Sequence, residues 1–160
     1  MAVTSVAKID GLIAKFNAHG ERLPMLAASD VAKCGRAAVP PLIAALKTSP
    51  NVRIRRWAAY TLRFIKDSRT VAPLKLALKD PNMSVRLLAM ESLEVVAGAK
   101  AGKYLLPLLK DESGGVRGRT VDALARLRYK PAVKFLVAAQ KDEKDYVRRG
   151  AARALELIRS

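Results

Sequence analysis

Arginines interleaved with large aromatics on one short stretch are the residues of this chain with the most chemical promise. Within residues 50–66, PNVRIRRWAAYTLRFIK, the side chains Arg53, Arg56, Trp57, Tyr60 and Arg63 recur at helical spacing. If the stretch is a helix, Ile54, Ala58, Thr61, Leu62 and Ile65 share the apolar side that it buries. The arginines and aromatics, with Phe64, are left on the other side. Guanidinium groups beside Trp and Tyr supply rigid contact area and charged donors, a combination enriched at binding hot spots. The same groups suit phosphates and stacked bases. The competing reading is that the aromatics fill gaps between neighbouring elements while the arginines solvate the surface.

The rest of the composition offers little for catalysis. His19 is the only histidine and Cys34 the only cysteine, so His-based metal sites and Ser-His or Cys-His pairs have almost no material. Cys34 reads as a small buried hydrophobe rather than a reactive thiol. No catalytic residue, metal site or cofactor is assigned. A lone cysteine forms no internal disulfide, and the sequence shows neither a charged-then-apolar leader nor an apolar run long enough to span a bilayer. A cytoplasmic setting is expected. Lysine and arginine number 30 against 14 aspartates and glutamates, a net charge of +16 on 160 residues, which favours acidic proteins or polyanions as partners. With 51% of residues apolar, one sizeable core and one domain are expected.

The elements that must position the arginine and aromatic face are repeated. Leu23, Ile54, Val85, Val116 and Val147 stand 31 residues apart, as do Ala27, Ala58, Ala89, Thr120 and Ala151. Val31, Leu62, Leu93, Leu124 and Leu155 keep the same interval, and Leu12, Ile43, Leu74, Leu105 and Leu136 mark an equivalent point on a preceding helix. Such self-similarity is the signature of stacked repeats. Ser49, Asp80, Asp111 and Asp142 are spaced alike and read as N-caps, with Pro50, Pro81, Glu112 and Glu143 at the first helical position; Ala18 stands there in the first repeat. The pattern predicts five helical hairpins. Their first helices lie near 4–16, 38–47, 70–79, 100–110 and 131–141, and their second helices near 21–34, 50–66, 81–97, 112–128 and 143–158. Gly35 and Gly98 sit where helix ends want a left-handed residue, and Pro41, Pro73 and Pro131 fall in first turns. Pro107 does not, and a kink or late helix start is expected there.

The motif elements are Asp80-Pro81-Asn82, Val85-Arg86, Ala89 and Ser92-Leu93, with Asp111, Val116-Arg117 and Ala123-Leu124, and Asp142, Val147-Arg148 and Ala151 to Leu155. On these the sequence resembles the HEAT-like repeats first noted in phycobilisome lyases. The resemblance covers the whole chain as one domain, 1–160, with repeats near 4–35, 36–67, 68–98, 99–129 and 130–160. It implies an all-α fold, a right-handed alpha-alpha superhelix (solenoid) of five HEAT-like hairpins whose second helices line an inner, concave surface. It also implies that the repeated arginine, at Arg55, Arg86, Arg117 and Arg148, bonds the aspartate of an adjacent repeat. Ser49 replaces that aspartate in the second repeat, and the first departs most, with Pro24 where the arginine would stand.

With that ladder set aside as structural, the outward positions of the second helices form the candidate binding surface. They are Arg53, Arg56, Trp57, Tyr60 and Arg63; then Leu87, Leu88, Glu91 and Glu94; then Arg119, Asp122 and Arg126; then Tyr146, Arg149 and Arg153. The preferred function is a non-enzymatic binding or scaffold module taking an acidic protein or peptide on this surface. Nucleic-acid binding is the alternative. The lysines of the first helices are read as a solvated outer face. Glu91 and Glu94 fall about one repeat beyond Trp57 and Tyr60, an arrangement similar to HEAT-like alkylpurine DNA glycosylases. The chain does not reproduce the paired tryptophan and aspartate of those enzymes, so a glycosylase-like or chromophore-lyase-like enzyme or accessory subunit ranks third.

A last expectation concerns the ends. Val6, Ile9, Leu12, Ile13 and Phe16 form a single stripe, with Ser5, Lys8, Asp10 and Lys15 around it. Residues 133–139 are apolar nearly all round. Phe135 and Val137, with Leu157 or Ile158, are therefore expected to meet a partner or a second copy in a two-fold homodimer, unless the final turn of the chain covers them.

Overall fold

The computed structural model describes residues 6–160, which are α-helices joined by short 3-10 turns, with no strand among them. The expected start of the first helix near residue 4, and Ser5, lie outside the described residues. The chain forms two compact units, Met1–Val96 and Ala97–Ser160. The N-terminal unit contains α1 (Val6–Ala14), α2 (Arg22–Lys33), α3 (Val39–Thr48), α4 (Val52–Ile65), α5 (Val71–Ala77) and α6 (Met83–Ala97). The C-terminal unit contains α7 (Ala101–Leu105), α8 (Gly114–Arg126), α9 (Val133–Ala139) and α10 (Asp145–Arg159). In the first unit α1 packs on α2 and α3 on α4, while α2 lies along α4 and α3 touches both α1 and α5. In the second, α10 packs on both α8 and α9. The all-α helical-repeat class is therefore the observed one.

The repeat is kept to the residue where the second helices of the last four hairpins begin. Helices α4, α6, α8 and α10 start at Val52, Met83, Gly114 and Asp145, and the chemistry of the entry is the same each time. Ser49 Oγ accepts the Asn51 N–H at 3.2 Å, and the Oδ1 atoms of Asp80, Asp111 and Asp142 accept the N–H groups of Asn82, Ser113 and Lys144 at 2.9, 2.8 and 2.8 Å. These residues thus make a turn before the helix rather than cap it. The N-caps are Asn51, Ser113 and Lys144 for α4, α8 and α10, and the helices begin two residues later than expected from Ser49, Asp80, Asp111 and Asp142 as N-caps. A short side chain binding its own backbone two residues on competes with the helix and postpones it.

The leucine register is buried throughout, at Val31, Leu62, Leu93, Leu124 and Leu155, and so is the small-residue register at Ala27, Ala58, Ala89, Thr120 and Ala151. Each such leucine removes enough apolar surface from water to stabilise the fold by roughly 1.5–3 kcal/mol. Leu23 departs from its register and is 46% exposed. In α2 the inward stripe is Pro24, Ala27, Ala28 and Val31, and Leu23 falls outside it. Gly35 and Gly98 take left-handed φ values of 59° and 54°, as expected, and Lys66 and Arg128 do the same at 51° and 46°. Pro107 ends α7 at Leu105, and the chain continues as a 3-10 turn, Leu106–Lys110. At the last repeat Leu136 and Ile158 are buried, whereas Val137 and Leu157 are about half exposed. Ile158 is therefore not available to a docking face. No helix among the described residues is long and apolar enough to cross a membrane.

Candidate functional site

Helix α4 is fixed at its entry by Asn51, whose Oδ1 accepts the Arg53 N–H at 2.9 Å. It buries Trp57, Ala58, Ala59, Thr61 and Leu62. Trp57 thus lies inside, 7% exposed, and not on the outward side. The cause is the repeat packing: α4 is covered by its hairpin partner α3 and also by α2, so the buried arc is wider than one amphipathic stripe. The Trp57 ring is tilted against Phe16 with centroids 6.4 Å apart and meets Tyr60 edge-on at 5.2 Å, and Tyr60 meets Phe64 edge-on at 5.1 Å. The Trp57 Nε1–H is buried with no acceptor.

The arginines of this face are mostly engaged. Arg53 donates from Nη2 to the Ala18 carbonyl at 2.6 Å and to that of Gly20, so it ties down the connection into α2 and is not a free ligand group. Arg56 Nη2 lies 2.5 Å from Glu21 Oε1, with its guanidinium 5.6 Å from the Trp57 ring centroid. Arg63 Nη1 is 3.7 Å from Glu91 Oε2, and its guanidinium is 5.5 Å from the rings of both Tyr60 and Phe64. The face is therefore less basic than the sequence suggests.

Two hollows open beside these residues. One, of about 370 Å³, is lined by Met25, Ser29, Ala32, Lys33, Tyr60 and Phe64. The other, of about 480 Å³, is lined by Glu21, Met25, Arg56, Trp57 and Tyr60 from one side and Ser84, Leu87, Leu88 and Glu91 of α6 from the other. Met25 and Tyr60 belong to both, which makes the pair one apolar trough with charges at its edge. Met25 and Ser29 were missed by the sequence reading. The signal was present, because they are the first-repeat equivalents of Arg56 and Tyr60.

Five of the other predicted residues meet in the C-terminal unit. Arg119, Asp122, Tyr146, Arg149 and Arg153 line a hollow of about 420 Å³ floored by Gly115, Gly118 and Gly150. A Cβ on Gly118 would stand 3.2 Å from the Tyr146 ring, so the bare α8 backbone is what lets that ring lie down. Arg149 Nη1 pairs with Asp145 Oδ2 at 2.8 Å, and Arg153 is exposed. Cys34 is half-buried, and its thiol donates to the Asp30 carbonyl at 3.3 Å. Among the described residues no three His, Cys, Asp or Glu side chains come together as a metal site would need.

Of the four repeated arginines, Arg55 and Arg117 form the expected clasp with the aspartate of the next repeat. Arg55 grips Asp80 through Nε at 2.8 Å and Nη2 at 3.0 Å, and Arg117 grips Asp142 at 2.7 and 2.9 Å. All four, Arg148 and Arg86 included, also donate Nη1 to the carbonyls six and five residues back, at 2.8–3.2 Å. Arg148 has Asp145 as its side-chain acceptor, within its own helix. Hydrogen bonding from Arg117 holds the Asp142 carboxyl below the usual carboxylate range and more than offsets the opposing effect of burial. At Asp80 burial pushes the carboxyl up, but the bonds from Arg55 and the Asn82 N–H prevail and leave it low. A further acid, Asp67, takes two bonds from the Arg69 guanidinium at 3.0 and 2.7 Å and one from the Arg69 N–H, which together bring it to about 2.

Comparison with known proteins agrees with this architecture. A family model described as HEAT repeats matches residues 9–94 and 102–160. No curated protein matches the sequence. Among solved structures, that of the complex of CpcE and CpcF of phycocyanin lyase from Nostoc sp. PCC7120 is similar at a TM-score of 0.77 and 25% identity, covering 94% of this chain and 99% of that one. A designed armadillo repeat protein in complex with the peptide (KR)4 is similar at a TM-score of 0.61 and 18% identity, covering 95% and 82%. A chain from a structure concerning TOG–tubulin binding specificity is similar at 0.57 and 17%, covering 99% and 85%. The repeated helical hairpins, the arginine–aspartate clasps and a family match over most of its length show that this chain belongs to the HEAT-repeat family.

Proposed function

We propose that this chain is a non-enzymatic scaffold that seats a segment of an acidic partner protein in the trough of α2, α4 and α6. The observation that carries the reading is the pair of hollows joined through Met25 and Tyr60. Apolar side chains of a partner fill the trough, where Tyr60, Trp57 and Arg56 are residue types that dominate interface energetics. Glu21, 59% exposed on its side chain, and Glu91 occupy Arg56 and Arg63 from within the chain. A partner carboxylate takes their place by exchange. The armadillo–peptide complex supports a ligand of peptide size, and the CpcE–CpcF complex supports a second folded chain as partner; a subunit of such a two-chain assembly is the reading that similarity favours next.

Peptide display tests the proposal. The wild-type chain should enrich sequences that mix apolar and acidic residues. Tyr60→Ala with Leu88→Ala should weaken the enriched peptides at least tenfold while leaving helical content unchanged, and Glu21→Gln should tighten them by releasing Arg56. Enrichment indifferent to all three substitutions overturns it. Direct nucleic-acid binding is the alternative: sub-micromolar affinity for DNA or RNA at physiological salt, lost with Tyr60→Ala, would put that function first.

A further inference from the structure

The C-terminal unit carries a hollow of whose lining the sequence reading singled out only Phe135 as a docking residue. It measures about 560 Å³ and lies between the 3-10 turn Leu106–Lys110 and α9. It exists because Pro107 converts the end of the first helix into a narrower 3-10 turn, while Ala138 and Ala139 give α9 little bulk on the facing side. The apolar lining is Leu106, Pro107, Leu109 and Phe135, the last being half-buried and covered by the Lys134 ammonium 5.0 Å from its ring centroid.

Charge decides what fits. Lys103, Lys110 and Lys141 stand at the margin, all exposed. The one carboxylate in the lining, Asp142, has both oxygens occupied by Arg117. Among the described residues no carboxylate pairs with Lys110 or Lys141, in contrast to Arg56 and Arg63, each of which faces a glutamate of its own chain. Lys110 and Lys141 beside this hollow are therefore less engaged within the chain than Arg56 and Arg63 of the α4 face. A two-fold contact through it would bring the lysines of one copy against those of the other, which opposes a homodimer here.

We propose that this hollow docks an acidic amphipathic helix of a partner protein, with its apolar side chains on Leu106, Pro107 and Phe135 and its Asp or Glu residues beside Lys103, Lys110 and Lys141. The surface is separate from the trough of the proposed function, and either can fail without the other.

The test is fluorescence anisotropy of the full chain with three labelled synthetic helices: one with Leu at i, i+4 and i+7 and Glu elsewhere, one with Gln for Glu, and one with Ser for Leu. The Leu/Glu helix should bind at least tenfold more tightly than either of the others. Lys110→Glu with Lys141→Glu, both on exposed positions, should weaken it at least tenfold, as should Phe135→Ser in a chain whose circular dichroism is unchanged; Tyr60→Ala should leave it unaltered. Absence of binding, equal binding of the Ser helix, indifference to the lysine pair, or loss with Tyr60→Ala overturns the proposal. So does a concentration-dependent mass of the free chain that Phe135→Glu abolishes, since a second copy would then be the occupant.

Discussion

Trp57 is where the reading of residue types and the structure part company. Its indole serves as filler between Phe16 and Tyr60, and its N–H has no acceptor. An unsatisfied buried donor costs free energy that a hydrocarbon of similar shape does not. Trp57→Phe is therefore expected to leave the urea midpoint nearly unchanged or raised, whereas Trp57→Ala should lose about 3–5 kcal/mol by opening a cavity; equal losses for both would show that the N–H matters. Asp67 gives a second residue-scale prediction, this time in pH. Its folded value of about 2 lies below the roughly 3.9 of an unfolded aspartate. Its contribution is thus complete above about pH 4 and is lost as pH falls through the folded value. The difference in urea midpoint between the wild type and Asp67→Asn should be constant from pH 7 to about 4 and shrink towards pH 2. A difference that stays flat to pH 2 would contradict the bonding described.

The helices show which parts of the fold were legible and why. Interior positions that recur at a fixed spacing, such as Leu62, Leu93 and Leu124, follow from a period of 31 alone, and the structure buries all three. Met25 and the inward turn of Trp57 depend on which helices lie next to one another, and no single amphipathic stripe records that. Leu23 failed because Pro24 sets the stripe of α2. The ends of helices were half legible: Gly35 and Gly98 announce a left-handed residue, but Lys66 and Arg128 adopt the same backbone with no such signal. A side chain in that region costs about 1 kcal/mol relative to glycine. Lys66→Gly and Arg128→Gly should each raise the thermal midpoint by a few degrees, while Gly35→Ala should lower it. A fall with Lys66→Gly would mean that the lysine side chain makes a contact worth more than the strain.

At the scale of the whole molecule the dominant quantity is a net charge of +16. Such a charge opposes compaction through self-repulsion, and salt screens it over about 10 Å at 0.1 M. Adding salt should therefore raise the thermal midpoint, even though it also weakens exposed pairs such as Lys33–Asp30 and Arg149–Asp145. A midpoint that falls would place more of the stability in ion pairs than the geometry allots. The same charge is expected to give only weak, sequence-indifferent attraction to DNA and RNA at low ionic strength, fading steeply as salt rises, which a binding titration at several salt concentrations would check.

The unequal spacing of helix starts and helix stops bears on how chain length can vary in this protein. Starts recur at Val52, Met83, Gly114 and Asp145 without deviation, but the left-handed stops fall at Gly35, Lys66, Gly98 and Arg128, so that α6 runs on before Gly98 ends it. Phase is set where the aspartate turn and the arginine meet, and slack is taken up at the far end. An extra residue spliced in just after Lys66 should therefore pass unnoticed by the neighbouring repeats, whereas the same residue placed between Asp80 and Asn82 would shift the carboxylate that Arg55 holds. Natural and engineered variants of this chain should lengthen at the exits of their second helices and stay fixed in length at the entries.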